Sequence, residues 1–185
     1  MGKTNNRNAS FQKEFLETHN AYRRKHNTPQ MTLSSEMTAS AQKWSEHLLA
    51  IGALCSLYAH SIYICSLSYI LGKEAVDSWY GEIKDYNWSS PGYSSATGHF
   101  TQVVWKDSTE LGVGLATDGR KVFVVGQYRA AGNMNMAGYF EENVLPLGNI
   151  LTLLCMCYCL NRLSPLTHKA AQVHFTSLLH LVRTT

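Results

Sequence analysis

Apolar residues recur at helical spacing over residues 11–26. Phe11, Phe15 and Tyr22 share one face, Ser10 stands before them as a candidate N-cap, and Thr28-Pro29 ends the run. A second helix is predicted after Ser34-Ser35, with Met37, Ala41, Trp44 and Leu48 inward, and a third over about 73–86, with Val76, Trp79, Tyr80 and Ile83 inward. Residues 87–97 are rich in Ser, Gly and Pro and read as a loop, after which Thr97 is placed to cap a fourth helix reaching Trp105. The period then changes. Leu111 to Leu115 alternates as a strand, Asp118-Gly119 reads as a type I′ hairpin turn, and residues 121–128 form a second, largely apolar strand. Helices followed by antiparallel strands predict a layered α+β domain.

Two stretches break the pattern. From Leu48 to Gly72 there is no Asp, Glu, Lys or Arg and no clean period of either kind. The stretch is long enough for a bilayer, which needs about 20 residues. A span at about 48–71 is therefore one alternative, although its serines, His60 and glycine edges make it a mediocre one; a buried or irregular connection is the other. After Leu147 comes an apolar patch too short for a standard span, then a mixed segment carrying His168, His174 and His180. Those three suit a weakly amphipathic tail better than a metal face, for want of an acidic ligand or supporting shell.

At 185 residues the chain is sized for one domain, and its net charge of +3 fits an anionic membrane surface without demanding nucleic acid. With no dense Lys/Arg stripe, zinc finger or aromatic RNA-binding signature, nucleic acid is excluded as an expected partner. The five cysteines cluster as Cys55 and Cys65 in one apolar run and Cys155, Cys157 and Cys159 in another, which reads as reduced thiols rather than a disulfide framework. The polar start Met1-Gly2-Lys3 is no secretory signal, and Gly2 is a candidate for N-myristoylation, although Asn6 replaces the usual Ser or Thr. Lys3, Arg7, Lys13, Arg23, Arg24 and Lys25 are candidates for a basic face against lipid.

The most specific block is Gly98-His99-Phe100-Thr101-Gln102-Val103-Val104-Trp105. At every position it resembles the first signature of the CAP superfamily (cysteine-rich secretory, antigen 5 and pathogenesis-related 1 proteins). Tyr128, Gly132 and Asn133 resemble the second signature without its cysteines. His19-Asn20-Ala21-Tyr22-Arg23, the block from Trp79 to Asn87 and the block from Phe140 to Pro146, with Met1-Gly2-Lys3, are similar to the intracellular, Golgi-associated branch of that family. The resemblance covers residues 1–52 and 73–147. It implies a three-layer α-β-α sandwich, a CAP domain over 1–147 with an irregular apolar insert at about 53–72, and a tail over 148–185.

It also implies a cleft of two histidines and two acidic residues able to hold a divalent cation such as Zn²⁺. His99 and Glu82 match two of the four. His60 stands in weakly for a third, and the fourth has no equivalent, since no glutamate lies between Glu46 and Glu74. No cofactor is required by this reading. The resemblance further implies lipid, sterol or protein partners rather than one reaction, placing the chain on the cytoplasmic face of Golgi membranes, or outside the cell as in most of the family. The expected function is a non-enzymatic membrane-associated binding module without a catalytic residue. A metal-dependent hydrolase with Glu82 as base is the enzymatic alternative. Faces left uncovered by the replaced loop also raise a homodimer as an expectation.

Overall fold

The computed structural model describes residues 2–52, 60–65 and 71–148. The chain divides into two compact units, Met1–Leu147 and Gly148–Thr185. All elements below belong to the first; beyond Gly148 the second, with its cysteines and its three histidines, lies outside the described residues.

Helix α1 runs Gly2–Lys25, followed by strand β1 (Thr32–Leu33), helix α2 (Ser35–Ile51) and strand β2 (His60–Cys65). Helix α3 (Gly72–Tyr80) passes into a 3-10 turn at Gly81–Asp85. Helix α4 (Gly98–Val104), strands β3 (Glu110–Thr117) and β4 (Val122–Arg129) and helix α5 (Tyr139–Asn143) complete the domain. The sheet order is β1-β3-β4-β2, with β1 parallel to β3 and the other two pairings antiparallel.

Pleating gives the sheet two different faces. Leu111, Val113, Val122, Val124 and Tyr128 pack into the larger core with Phe15, Val76, Trp79 and Phe100 of α1, α3 and α4. Phe123 and Val125 point the other way, onto Ala41 and Leu48 of α2. Gly112 and Gly114 lie on that second face, where any side chain would strike the backbone of α2 at Met37 and at Ala41-Gln42. The alternating Leu-Gly-Val-Gly-Leu of β3 is thus a large-residue face toward one helical layer and a bare face that lets α2 seat directly on the strand. The result is an α-β-α sandwich.

Several local expectations are corrected. α1 begins well before Ser10, so Ser10 is not its cap, and Ser10 Oγ instead donates to Glu14 at 3.5 Å. Within α2, Ser45 is buried while Trp44 is only partly so. The expected third helix stops at Tyr80 and tightens into 3-10 geometry, which turns the chain toward α4. At the hairpin tip only Gly119 has positive φ (85°); Asp118 Oδ1 accepts from Arg120 N and Lys121 N, both at 2.8 Å, in a four-residue loop rather than a type I′ turn. The span considered at 48–71 is also overturned. Leu48–Ile51 close α2, Gly52 caps it in the left-handed region, and His60–Cys65 form β2 hydrogen-bonded to β4. Among the described residues no helix is long and apolar enough to cross a membrane.

Candidate functional site

Glu82 in the 3-10 turn and His99 at the start of α4 meet. His99 Nδ1 lies 2.7 Å from Glu82 Oε1, while Glu82 Oε2 accepts the backbone N–H groups of His99 at 3.0 Å and Phe100 at 3.1 Å. A carboxylate only accepts, so His99 Nδ1 carries the proton of this contact. The imidazole stacks on Trp79, with ring centroids 5.6 Å apart and planes 9° from parallel.

The carboxylate serves a second purpose. The first N–H groups of any helix lack internal partners. Thr97, expected to cap α4, makes no cap bond; its hydroxyl is buried without a hydrogen-bond partner. Glu82 takes over from outside the helix, and its negative charge also suits the positive end of the helix dipole. Both oxygens of Glu82 are therefore engaged, and the residue is placed to fix α4 and orient His99.

Of the other candidate ligand, His60 stands in register with Gln127. Gln127 reaches Ser40 of α2 at 3.2 Å, on the sheet face away from Glu82 and His99. The side chain of His60 lies outside the described residues. Among the described residues no group of three or more His, Cys, Asp or Glu side chains is arranged to hold a metal. A catalytic zinc takes three protein ligands and a structural one four. Here the described donor set offers Nε2 of His99, with Glu82 bonded to Nδ1 in a supporting position. The described side chains by themselves do not fit a resident metal.

The remaining signature residues form a lock. Thr101 Oγ1 donates to Asn133 Oδ1 at 2.5 Å, and Asn133 Nδ2 donates to Gly98 O at 2.8 Å. Gln102 Oε1 accepts Gly132 N at 2.8 Å while its Nε2 donates to Ser108 Oγ at 3.1 Å. Asn133 adopts φ 59°, a region that asparagine tolerates better than most residues. Phe100 packs against Tyr86 and Tyr80, and Trp105 meets Phe140 edge-on at 5.1 Å. The two signature blocks thus bind α4 to the loop after β4.

Beneath them α1 carries three polar side chains inward. His19 Nδ1–H donates to Phe15 O at 2.9 Å and its Nε2 accepts from Tyr128 OH at 2.9 Å. Burial pushes its pKa down to about 3. His26 repeats the arrangement, donating to Leu145 O at 2.6 Å and accepting from Tyr80 OH at 2.9 Å, and burial holds it below its ordinary value. Arg23, fully buried, donates to the carbonyls of Pro29, Val103, Trp105, Lys106 and Ser108. Burial lowers its pKa to about 10, so it remains charged at neutral pH. Arg23 is therefore removed from the expected basic face, and the exposed members with described side chains are Lys13, Arg24 and Lys25. The sequence signal for this inner row was available: Phe15, His19, Arg23 and His26 follow helical spacing down one face.

The family model of the cysteine-rich secretory proteins (CAP) matches residues 16–128. The chain belongs to the CAP family. It is 44% identical over 154 residues to Golgi-associated plant pathogenesis-related protein 1 of Homo sapiens, covering 79% of this chain and 98% of that protein. Protein PRY2 of Saccharomyces cerevisiae is 36% identical over 141 residues, covering 74% of this chain but only 42% of the yeast protein. Among solved structures, NaASP2 with Zn²⁺ is similar with a TM-score of 0.60 at 20% identity, covering 76% of this chain and 87% of that one. BmVAL-1 gives 0.59 at 22% identity, covering 74% and 82%. At such identities these two likenesses speak for the CAP fold alone.

Proposed function

We propose that this CAP domain is a non-enzymatic binding module held on the cytoplasmic face of Golgi membranes, where it engages lipid, sterol or protein partners. The observation that carries the non-enzymatic part is the engagement of Glu82. The Glu82 carboxylate is committed to three contacts, two backbone N–H groups at the start of α4 and His99 Nδ1, which supports a positioning role. The pair orients a helix rather than activating water.

Membrane attachment has separate support. Gly2 follows Met1, as N-myristoylation requires, and Arg24 and Lys25 are exposed at the end of α1. One myristoyl chain holds only marginally, so a second signal is needed, and each basic residue near anionic lipid adds on the order of 1 kcal/mol. The human relative's name describes it as Golgi-associated.

The test is vesicle flotation of the full chain, co-expressed with a myristoyltransferase, beside Gly2→Ala. Binding to phosphatidylserine vesicles should exceed binding to phosphatidylcholine vesicles and fall strongly in Gly2→Ala. Equal flotation of the two proteins would sink the anchor. The extracellular alternative makes its own prediction. Asn87 is exposed, its side chain accepts from Ser89 Oγ at 2.8 Å, and a glycan found there would move the chain outside the cell.

A further inference from the structure

The charge of this chain is concentrated in one element. Of its 16 basic and 13 acidic residues, α1 holds six basic and two acidic, so the rest of the chain carries ten basic against eleven acidic. The whole positive excess therefore belongs to α1. Arg23 is buried under that helix, while Lys13, Arg24 and Lys25 are exposed. Ser10, Lys13, Glu17 and Arg24 fall in one exposed row at helical spacing, away from the buried Phe11, Phe15 and His19. Lys25 stands at the margin of the row, its Nζ 4.9 Å from the centroid of the Tyr22 ring, which steadies it. On the other face of the sheet α2 carries Glu36, Lys43 and Glu46 and is net acidic.

The anchor at Gly2 and the cations Arg24 and Lys25 stand at opposite ends of α1. Its 24 residues reach about 36 Å at about 1.5 Å each. The pull of a charged surface fades over a Debye length of about 8 Å in physiological salt. A helix standing on its anchored end holds Arg24 and Lys25 several such lengths from the headgroups, where they add nothing. A helix lying along the surface brings both ends, and Lys13 between them, within reach. Because one myristoyl chain holds only marginally, each cation gained favours the second orientation.

Given the Gly2 anchor of the preceding reading, we propose that α1 lies along the membrane, with the row Ser10, Lys13, Glu17 and Arg24 against anionic headgroups, Lys25 beside it, and the sheet and α2 held away from the bilayer. The row has no large apolar side chain for the core of a protein interface. It offers charge alone, which suits a headgroup layer. Glu17 is its unfavourable member. It meets Lys13 at 3.9 Å in a pair exposed on both sides. Such a pair adds little to stability, so Glu17 can be replaced without harm to the fold.

The test uses the full myristoylated chain on phosphatidylserine vesicles. An amine-acetylating reagent, read by mass spectrometry, should label the exposed Lys13 and Lys25 several-fold more slowly on vesicles than in solution. Lys43 of α2 and Lys121 at the hairpin tip, also exposed, should keep their rates. Glu17→Lys should raise vesicle affinity roughly tenfold or more, as two units of charge at the surface require. Glu46→Lys, the same change on exposed α2, should leave affinity within about twofold. Equal gains in the two variants, or unchanged labelling of Lys13 and Lys25 on vesicles, overturn the orientation. If flotation still depends on Gly2 in that event, the anchor stands and the face alone is wrong; a chain that does not float sinks both. If circular dichroism shows Glu17→Lys unfolded, the labelling of the unaltered chain decides alone.

Discussion

Lowering the pH from 7 to 5 should destabilise this domain through the histidines inside it. His19 is fully buried, bonded through Nδ1–H to Phe15 O and through Nε2 to Tyr128 OH, and its pKa falls from 6.5 to about 3. Because the folded pKa is depressed, between these two values the unfolded chain binds a proton that the folded chain refuses. Stability is therefore fully present above the unfolded value and is lost as pH falls below it. At pH 5 His19 is neutral in the fold and almost wholly protonated in the unfolded chain, which costs about 2 kcal/mol relative to pH 7. His26 is displaced in the same direction by its own burial and adds to the loss. Asp118 acts in the same sense but in a lower window. Backbone N–H groups of Lys121 and Arg120 hold the Asp118 carboxyl below 3.8, so its contribution is lost only below that window. Urea unfolding followed by tryptophan fluorescence at the two pH values should show a midpoint lower at pH 5 by about 1 M, given a denaturant slope of about 2 kcal/mol per molar. His19→Gln keeps a polar side chain but removes the titration. It should be less stable at pH 7 and yet show a pH slope between 7 and 5 smaller by about 1 kcal/mol per unit. An unaltered slope in that variant, or a flat response in the unaltered chain, would refute the reasoning.

Gly114→Ala sets a methyl group into the backbone of Ala41 and Gln42, which cannot yield without lifting α2, so the loss should exceed the usual overpacking range of about 1–3 kcal/mol; thermal melting reads it. Arg23→Lys keeps the charge but supplies at most three donors to five carbonyls, and urea titration should find it destabilised by about 3 kcal/mol. Glu82→Ala should lower stability by about 1–2 kcal/mol through loss of the α4 cap, with vesicle flotation unchanged; flotation lost in a folded variant would assign Glu82 to the binding surface. Zinc calorimetry should give no saturable heat, and a saturable heat abolished by His99→Ala would restore a metal centre.

How legible the fold was depended on whether an element shows its buried face in its own residues. α2 and the core of α3 were readable because Met37, Ala41, Leu48, Val76 and Trp79 recur at helical spacing. The first turns of α1 were not, since Gly2 to Ala9 is polar and offers no apolar stripe to read. β2 was missed for the opposite reason. Its run His-Ser-Ile-Tyr-Ile-Cys follows neither period cleanly, and a short apolar run is ambiguous by periodicity alone. β1 is a two-residue element fixed by its neighbours: Thr32 N donates to Thr109 O at 3.0 Å and Ser34 N to Leu111 O at 2.8 Å, partners that lie more than seventy positions away in the chain.

The site followed the same division. Residue types at Glu82 and His99 were legible from the family resemblance, but the bonds that decide their role were not. Nothing local to Glu82 shows that its carboxylate reaches two backbone N–H groups seventeen and eighteen positions on. That contact exists because the 3-10 turn swings Glu82 over the end of α4, while Trp79, one turn earlier, supplies the platform on which His99 lies flat. The signature block is thus accounted for by what it holds together: Thr101 and Gln102 tie down the Gly132-Asn133 loop, Trp105 packs on Phe140, and its carbonyl accepts from Arg23 at 2.7 Å. A motif whose members are so engaged specifies the fold firmly and the chemistry hardly at all. This is why a chain with a complete first signature still lacks, among its described residues, the ligand set that the resemblance implied.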